Sequence, residues 1–229
     1  MRPSSPPLSY AGVELPRSEL AVSALRYAAE LTDPVVFRHS LRGYLFGRAI
    51  GETRALRAGA DYDDELMFVA SVLHDIGVSD AGNGDERFEV DGADLAVGFL
   101  REHGLSQDRA AVAWDAIALH TFEGIGARKG PEVMLCHAGI TADILGRGRE
   151  LLPAGFADRV HAELPREDLA YVLTDAIVAQ ALDNPRKAGP LSFPGQLVRR
   201  HLPQGALPDW YDLIADAGWG DRPARDGNG

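Results

Sequence analysis

Apolar residues recur at three- and four-residue spacing along almost the whole chain, and this periodicity restricts it to a fold built from helices. Leu20, Ala21, Ala24, Leu25, Ala28 and Leu31 follow the spacing after Ser18, a residue type that caps helix starts. Asp33-Pro34 supplies a second N-cap with proline at the first helical position, and the spacing predicts a longer helix from Val35 to about Gly59. Asp63 opens a third helix running into Leu73-His74-Asp75-Ile76-Gly77, where the glycine suits a stop. After a polar loop over 78–89, helices are expected at about 91–103, from Ser106 through His120, from Pro131 to near Gly146 and within 165–182. Shorter helical pieces are expected over 191–216. No useful length of chain alternates with the period of two that a strand requires, and no internal repeat is present. The expected fold class is all-α: one helical domain over 17–217, with a flexible N-terminal segment at 1–16 and a flexible tail at 218–229.

A chain of 229 residues buries enough surface to hold a core without staples. Its net charge of −11, with no dense run of Lys or Arg, argues against nucleic acid and anionic membrane as partners. A small-molecule substrate is the partner expected, and a homo-oligomer is left open. The single cysteine, Cys136, has no internal partner and lies in an apolar stretch, so it reads as buried filler in a protein kept reduced. The longest mostly apolar run, Met67 to Leu73, is far shorter than the ~20 residues of a membrane span. With no apolar signal core near Met1, the expected location is cytoplasmic.

The sharpest local feature is His74-Asp75 behind the apolar run Phe68-Val69-Ala70-Ser71-Val72-Leu73. A carboxylate there is costly to bury without a compensating positive charge, and a divalent cation would supply one. His39 sits three, four and seven residues from Val36, Val35, Gly43 and Phe46, on the apolar face of its helix. Asp143 is an acid within the otherwise apolar stretch Leu135 to Leu145. Taken singly, each has a bland reading as a core histidine or a solvent-facing acid. Four such residues on three helices are better explained by a shared site.

His39, the pair His74-Asp75 and Asp143 match the H…HD…D signature of the HD-domain superfamily of metal-dependent hydrolases. The wider sequence resembles its cyanamide hydratase-like branch. The resembling segments are 37–47, 73–77, 86–93, 114–121 and 138–146, and the likeness spans about residues 20 to 200. The resemblance implies an HD-domain helical bundle with His39, His74, Asp75 and Asp143 binding one divalent metal ion between core helices. Zinc is the first choice, with iron or manganese as alternatives. Two imidazoles and two carboxylates suit such an ion, and the lack of thiolate argues against a purely structural zinc site.

The resemblance further implies a hydratase or hydrolase (a lyase in the cyanamide hydratase sense) acting on a small polar, cyanamide- or nitrile-like molecule by attack of metal-bound water. Asp75 and His120 are its catalytic residues. His120 shares a face with Ala113, Ala116 and Ile117 and is assigned as proton shuttle or substrate ligand. His137 and His103 are expected away from the metal, the latter as a helix-end residue before Gly104. Arg38, Arg42, Arg87, Lys129 and Lys187 are basic residues that a substrate anion could engage, with surface solvation the ordinary role of most. The rivals are a nucleotide phosphohydrolase, a two-iron oxygenase recruiting His103, His120 or His137, and a non-catalytic sensing module.

Overall fold

The computed structural model describes residues 9–220. Ten α-helices make up the described fold: α1 (Glu19–Leu31), α2 (Pro34–Thr53), α3 (Asp64–Leu73), α4 (Phe88–Glu102), α5 (Gln107–Ala118), α6 (Pro131–Leu145), α7 (Phe156–Glu163), α8 (Leu169–Asp183), α9 (Phe193–Val198) and α10 (Trp210–Asp216). The caps act where the sequence puts them. Ser18 Oγ accepts from the Ala21 amide, Asp33 accepts from the Val35 amide ahead of Pro34, and Asp63 accepts from the Leu66 amide. Gly146 closes α6 in the left-handed conformation, with φ of 68°. No described helix is long and apolar enough to cross a membrane.

Several boundaries differ from the periodic reading. α2 stops at Thr53 rather than near Gly59, because the Arg54 and Leu56 amides turn back onto the Ile50 and Gly51 carbonyls and close the last turn. α3 ends at Leu73 and α4 starts at Phe88, so the connection runs over 74–87 rather than 78–89 and contains two 3-10 turns, Ile76–Val78 and Asp80–Gly82. α7 was not expected; it buries Phe156 and Val160 before Pro165 separates it from α8. Part of the N-terminal segment expected to be flexible is also structured. Ser9–Tyr10 (β1) pairs antiparallel with Val13–Glu14 (β2), Leu15 is buried, and the Ala11 amide donates to Glu163. The rest of the two terminal segments expected to be flexible, 1–8 and 221–229, lies outside the described residues.

The central contact is the antiparallel crossing of α2 and α6. Gly43 and Gly51 lie against Ile140 and Leu135, and a Cβ on Gly139 would overlap the Gly43 carbonyl oxygen. Only hydrogen at Gly139 lets the two backbones meet there. His39 lies one turn before Gly43 and Asp143 one turn after Gly139, so the seam brings the two side chains together.

A second glycine contact orients the other half of the site. A Cβ on Gly77 would run into the Phe88 carbonyl and the Gly92 amide, so the turn after α3 lies directly on α4. Gln180 Nε2 donates to the Gly77 carbonyl at 3.0 Å, and Lys187 Nζ donates to the Gly84 carbonyl at 3.0 Å and to Asp91 at 2.5 Å. The 78–87 loop is thus fastened from behind by α8 and the turn that follows it.

Candidate metal centre

His39 is placed by the glycine seam on α2, and His74 and Asp75 follow the last turn of α3. The third helix ends at Leu73, earlier than expected, and this frees the pair from the 100° spacing that separates helical neighbours. Asp75 takes φ of −104° and ψ of 11°, outside regular helix, and its carboxylate turns back towards both imidazoles. His74 Nε2 lies 3.0 Å and His39 Nε2 3.8 Å from Asp75 Oδ2. One ligand atom from each of the three residues falls within 4.8 Å of the others, and all three residues are buried.

Each imidazole is pinned through its other nitrogen. His39 Nδ1 is 2.6 Å from Asp143 Oδ2, His74 Nδ1 is 2.8 Å from the Ser71 carbonyl, and His120 Nδ1 is 2.6 Å from the Ile117 carbonyl. A carbonyl can only accept, so Nδ1 carries a proton in His74 and His120, and each ring in its neutral form presents an Nε2 lone pair to the site. His39 Nε2, His74 Nε2 and both oxygens of Asp75 are buried without a hydrogen-bond partner among the described residues. Four such atoms facing one another are strongly unfavourable unless a positive charge sits among them. A divalent cation meets that requirement, and the nitrogen–oxygen donor set suits zinc, iron or manganese.

The electrostatics point the same way. Burial opposes charge on His74, but the adjoining Asp75 carboxylate outweighs it and raises the imidazole, so a proton there is the next-best cation. Burial alone would raise Asp75, yet His74, His120 and His39 hold its carboxyl well below the usual carboxylate range. His39 is lowered, burial outweighing the pull of Asp143. His120, buried and beside His74, is pushed down to about 3 and is neutral at physiological pH.

Of the four expected ligands, Asp143 lies against the other nitrogen of the His39 ring, outside the group formed by His39, His74 and Asp75. Arg42 Nε and Nη2 donate to its two oxygens at 2.9 Å each, Arg166 Nη1 donates to Oδ1 at 2.6 Å, and His39 Nδ1 meets Oδ2. The carboxylate is therefore occupied on the far side of His39 from Asp75. It orients the ring and reinforces its basicity, as carboxylates behind metal-binding histidines do. Burial would raise Asp143, but His161, His39 and Arg42 hold it well below the normal range. The side chains that converge are His39, His74 and Asp75, joined by His120, whose Nε2 is 3.6 Å from Asp75 Oδ1.

His120 lies in the turn after α5 rather than on the helix, and its ring is edge-on to His74 at 4.8 Å between centroids. His137, on α6, donates Nδ1 to the His120 carbonyl at 2.9 Å and lines the same cavity. His103 is exposed at the end of α4 and bonds the Phe99 carbonyl, as a helix-end residue should. The basic residues considered for a substrate anion are engaged elsewhere: Arg38 with Glu167, Arg42 with Asp143, Lys129 with Asp115 and Lys187 with Asp91. Arg87 sits over the Phe122 ring, 4.7 Å from its centroid.

Sequence reasoning missed the two arginines that neutralise Asp143. For Arg42 a signal exists: it is three residues after His39, on the same helix face, where an arginine must be paired to be buried. Glu89 was also missed; fully buried and raised by burial, it accepts the Thr121 hydroxyl at 2.7 Å and ties the His120 turn to α4. No curated protein matches the chain. The HD domain profile matches residues 36–181, a span containing all four signature residues, three of which, His39, His74 and Asp75, form a buried cluster suited to a cation. HD domains are in general metal-dependent hydrolases, and this chain belongs to the HD-domain family.

Proposed function

We propose that this HD domain is a metal-dependent hydratase or hydrolase that adds water to a cyanamide- or nitrile-like group, with zinc as the first choice of ion. The observation that carries the proposal is the set of unpartnered atoms on His39, His74 and Asp75, next to a cavity with no lysine or arginine among its described lining residues. When bound, the ion lowers the pKa of a water towards 7 and polarises an electrophilic carbon. His39, backed by Asp143, and His74, backed by the Ser71 carbonyl, hold fixed ring orientations, so no reorganisation is needed at the moment of reaction. Water adds across the carbon–nitrogen bond, its oxygen going to carbon and one proton to nitrogen. His120, a neutral acceptor facing the same point, takes the proton from water and returns it to the substrate nitrogen.

Metal analysis of the purified chain, run beside a screen of cyanamide, small nitriles and nucleotides, tests this reading. About one ion per chain with urea or amide release is expected. Nucleotide cleavage would replace the reading with phosphohydrolysis, for which the described lining offers no lysine or arginine. His120→Ala is expected to keep the metal while turnover falls ~10²-fold or more; unchanged turnover would remove His120 from the mechanism.

A further inference from the structure

The cavity beside the metal cluster has a volume of about 190 Å³. Its floor is the His39, His74, Asp75 and His120 group, and its walls are Phe88, Ile140, Ile144, Leu173 and Phe193. Phe88 stands edge-on to His120 at 5.7 Å and faces Phe193 at 6.4 Å, so the aromatic wall begins at the reacting end and continues to the mouth. Phe193 is 41% exposed there, at the start of α9. The polar groups above the floor are few: Thr121, whose hydroxyl is already given to Glu89, then His137, Thr141 and Glu123.

A substrate as small as cyanamide would occupy the floor and leave the apolar walls against water. An enclosed cavity of ~150 Å³ lined by Leu, Ile and Phe takes up benzene, so apolar walls around this volume suit a body of ring size.

We infer that the substrate is uncharged and carries its polar reacting group on an apolar body of aryl or branched-alkyl size, seated between Phe88 and Phe193 on one side and Ile140, Ile144 and Leu173 on the other. The inference rests on the hydration reading for the reacting group, but not for the body. Burying a ring-sized apolar group favours the substituted member of a pair by ~10- to 100-fold.

The test uses the full chain loaded with zinc. Values of kcat/KM are compared for cyanamide against phenylcyanamide and acetonitrile against benzonitrile, and binding of urea is compared with phenylurea by calorimetry. The expected result is a tenfold or greater preference for the phenyl member in turnover and in binding. If no nitrile or cyanamide is turned over, the hydration reading fails, while a tenfold preference for phenylurea still upholds the apolar subsite. Equal binding of urea and phenylurea, or faster turnover of the unsubstituted members, overturns it. Phe193→Ala and Leu173→Ala are expected to shrink the phenyl preference with zinc content and urea binding unchanged. A preference that survives both substitutions places the body elsewhere and also overturns the inference.

Discussion

The two sides of His39 make a controlled comparison. On one side, Asp143 is surrounded by N–H groups from Arg42, Arg166 and His39 itself, and its charge is matched within the protein. On the other, Asp75 is as deeply buried, yet neither of its oxygens has a hydrogen-bond partner among the described residues, and the nearest nitrogen is His74 Nε2 at 3.0 Å. Two aspartates of one signature thus divide the work. The satisfied one orients the ring between them; the other carries its negative charge among His39, His74 and His120, where a cation would be matched. A charge-matched buried cluster is costly to break, whereas a cluster that binds a cation gains stability when the cation arrives.

The largest effect expected from breaking this contrast is on Asp75. Asp75→Asn should lose bound metal and reduce activity to background, while the metal-free variant loses less stability than Arg42→Ala does, because neither Asp75 oxygen makes a hydrogen bond among the described residues. Metal analysis and thermal melts with and without chelator check both halves. The mirror experiment is Arg42→Ala. Arg42 is fully buried against Asp143, and removing one partner of such a pair costs about 3–5 kcal/mol, read as a drop in denaturation midpoint. If the two variants shifted metal-free stability alike, the division of labour would be wrong.

Gly139→Ala attacks the seam rather than the charges. Its methyl group overlaps the Gly43 carbonyl, so α2 and α6 must separate, at a cost of about 1–3 kcal/mol and with weakened metal affinity as His39 and Asp143 part. A denaturant titration paired with metal competition reads both effects.

The pH dependence sharpens the comparison further. Because the folded Asp143 carboxyl lies well below the unfolded value of ~3.9, its contribution is complete above that pH and fades as pH falls through it towards the folded value. Acid titration of wild type and Asp143→Asn should therefore show the variant with the shallower loss of stability below about pH 4. The smallest effect concerns Cys136. Burial pushes this thiol up to about 12, so iodoacetamide at pH 8 should label it only after unfolding.

Legibility followed the range of the interaction. Helix starts at Ser18, Asp33 and Asp63 were readable because a cap and the amide it serves lie within three residues. The ends of α2 and α3 were not, since periodicity runs on past the point where local turns reclaim the carbonyls. Among the site residues, His39, His74 and Asp75 converge as the signature implies, but the occupation of Asp143 by Arg42 and Arg166 depends on side chains distant in sequence. The apolar character of the cavity was equally hidden, because Phe88, Ile144, Leu173 and Phe193 come from α4, α6, α8 and α9 and read singly as ordinary core.

Helical class, the acidic balance and the residue types able to hold a cation were determined along the chain itself, because periodicity, net charge and side-chain chemistry are local or additive properties. Which aspartate faces the cation, which supports the ring behind it and what kind of body fits above them were decided only in three dimensions. Those outcomes depend on how closely two glycine-lined helices approach and on which partners reach a buried carboxylate first, and neither distance is encoded in any one segment.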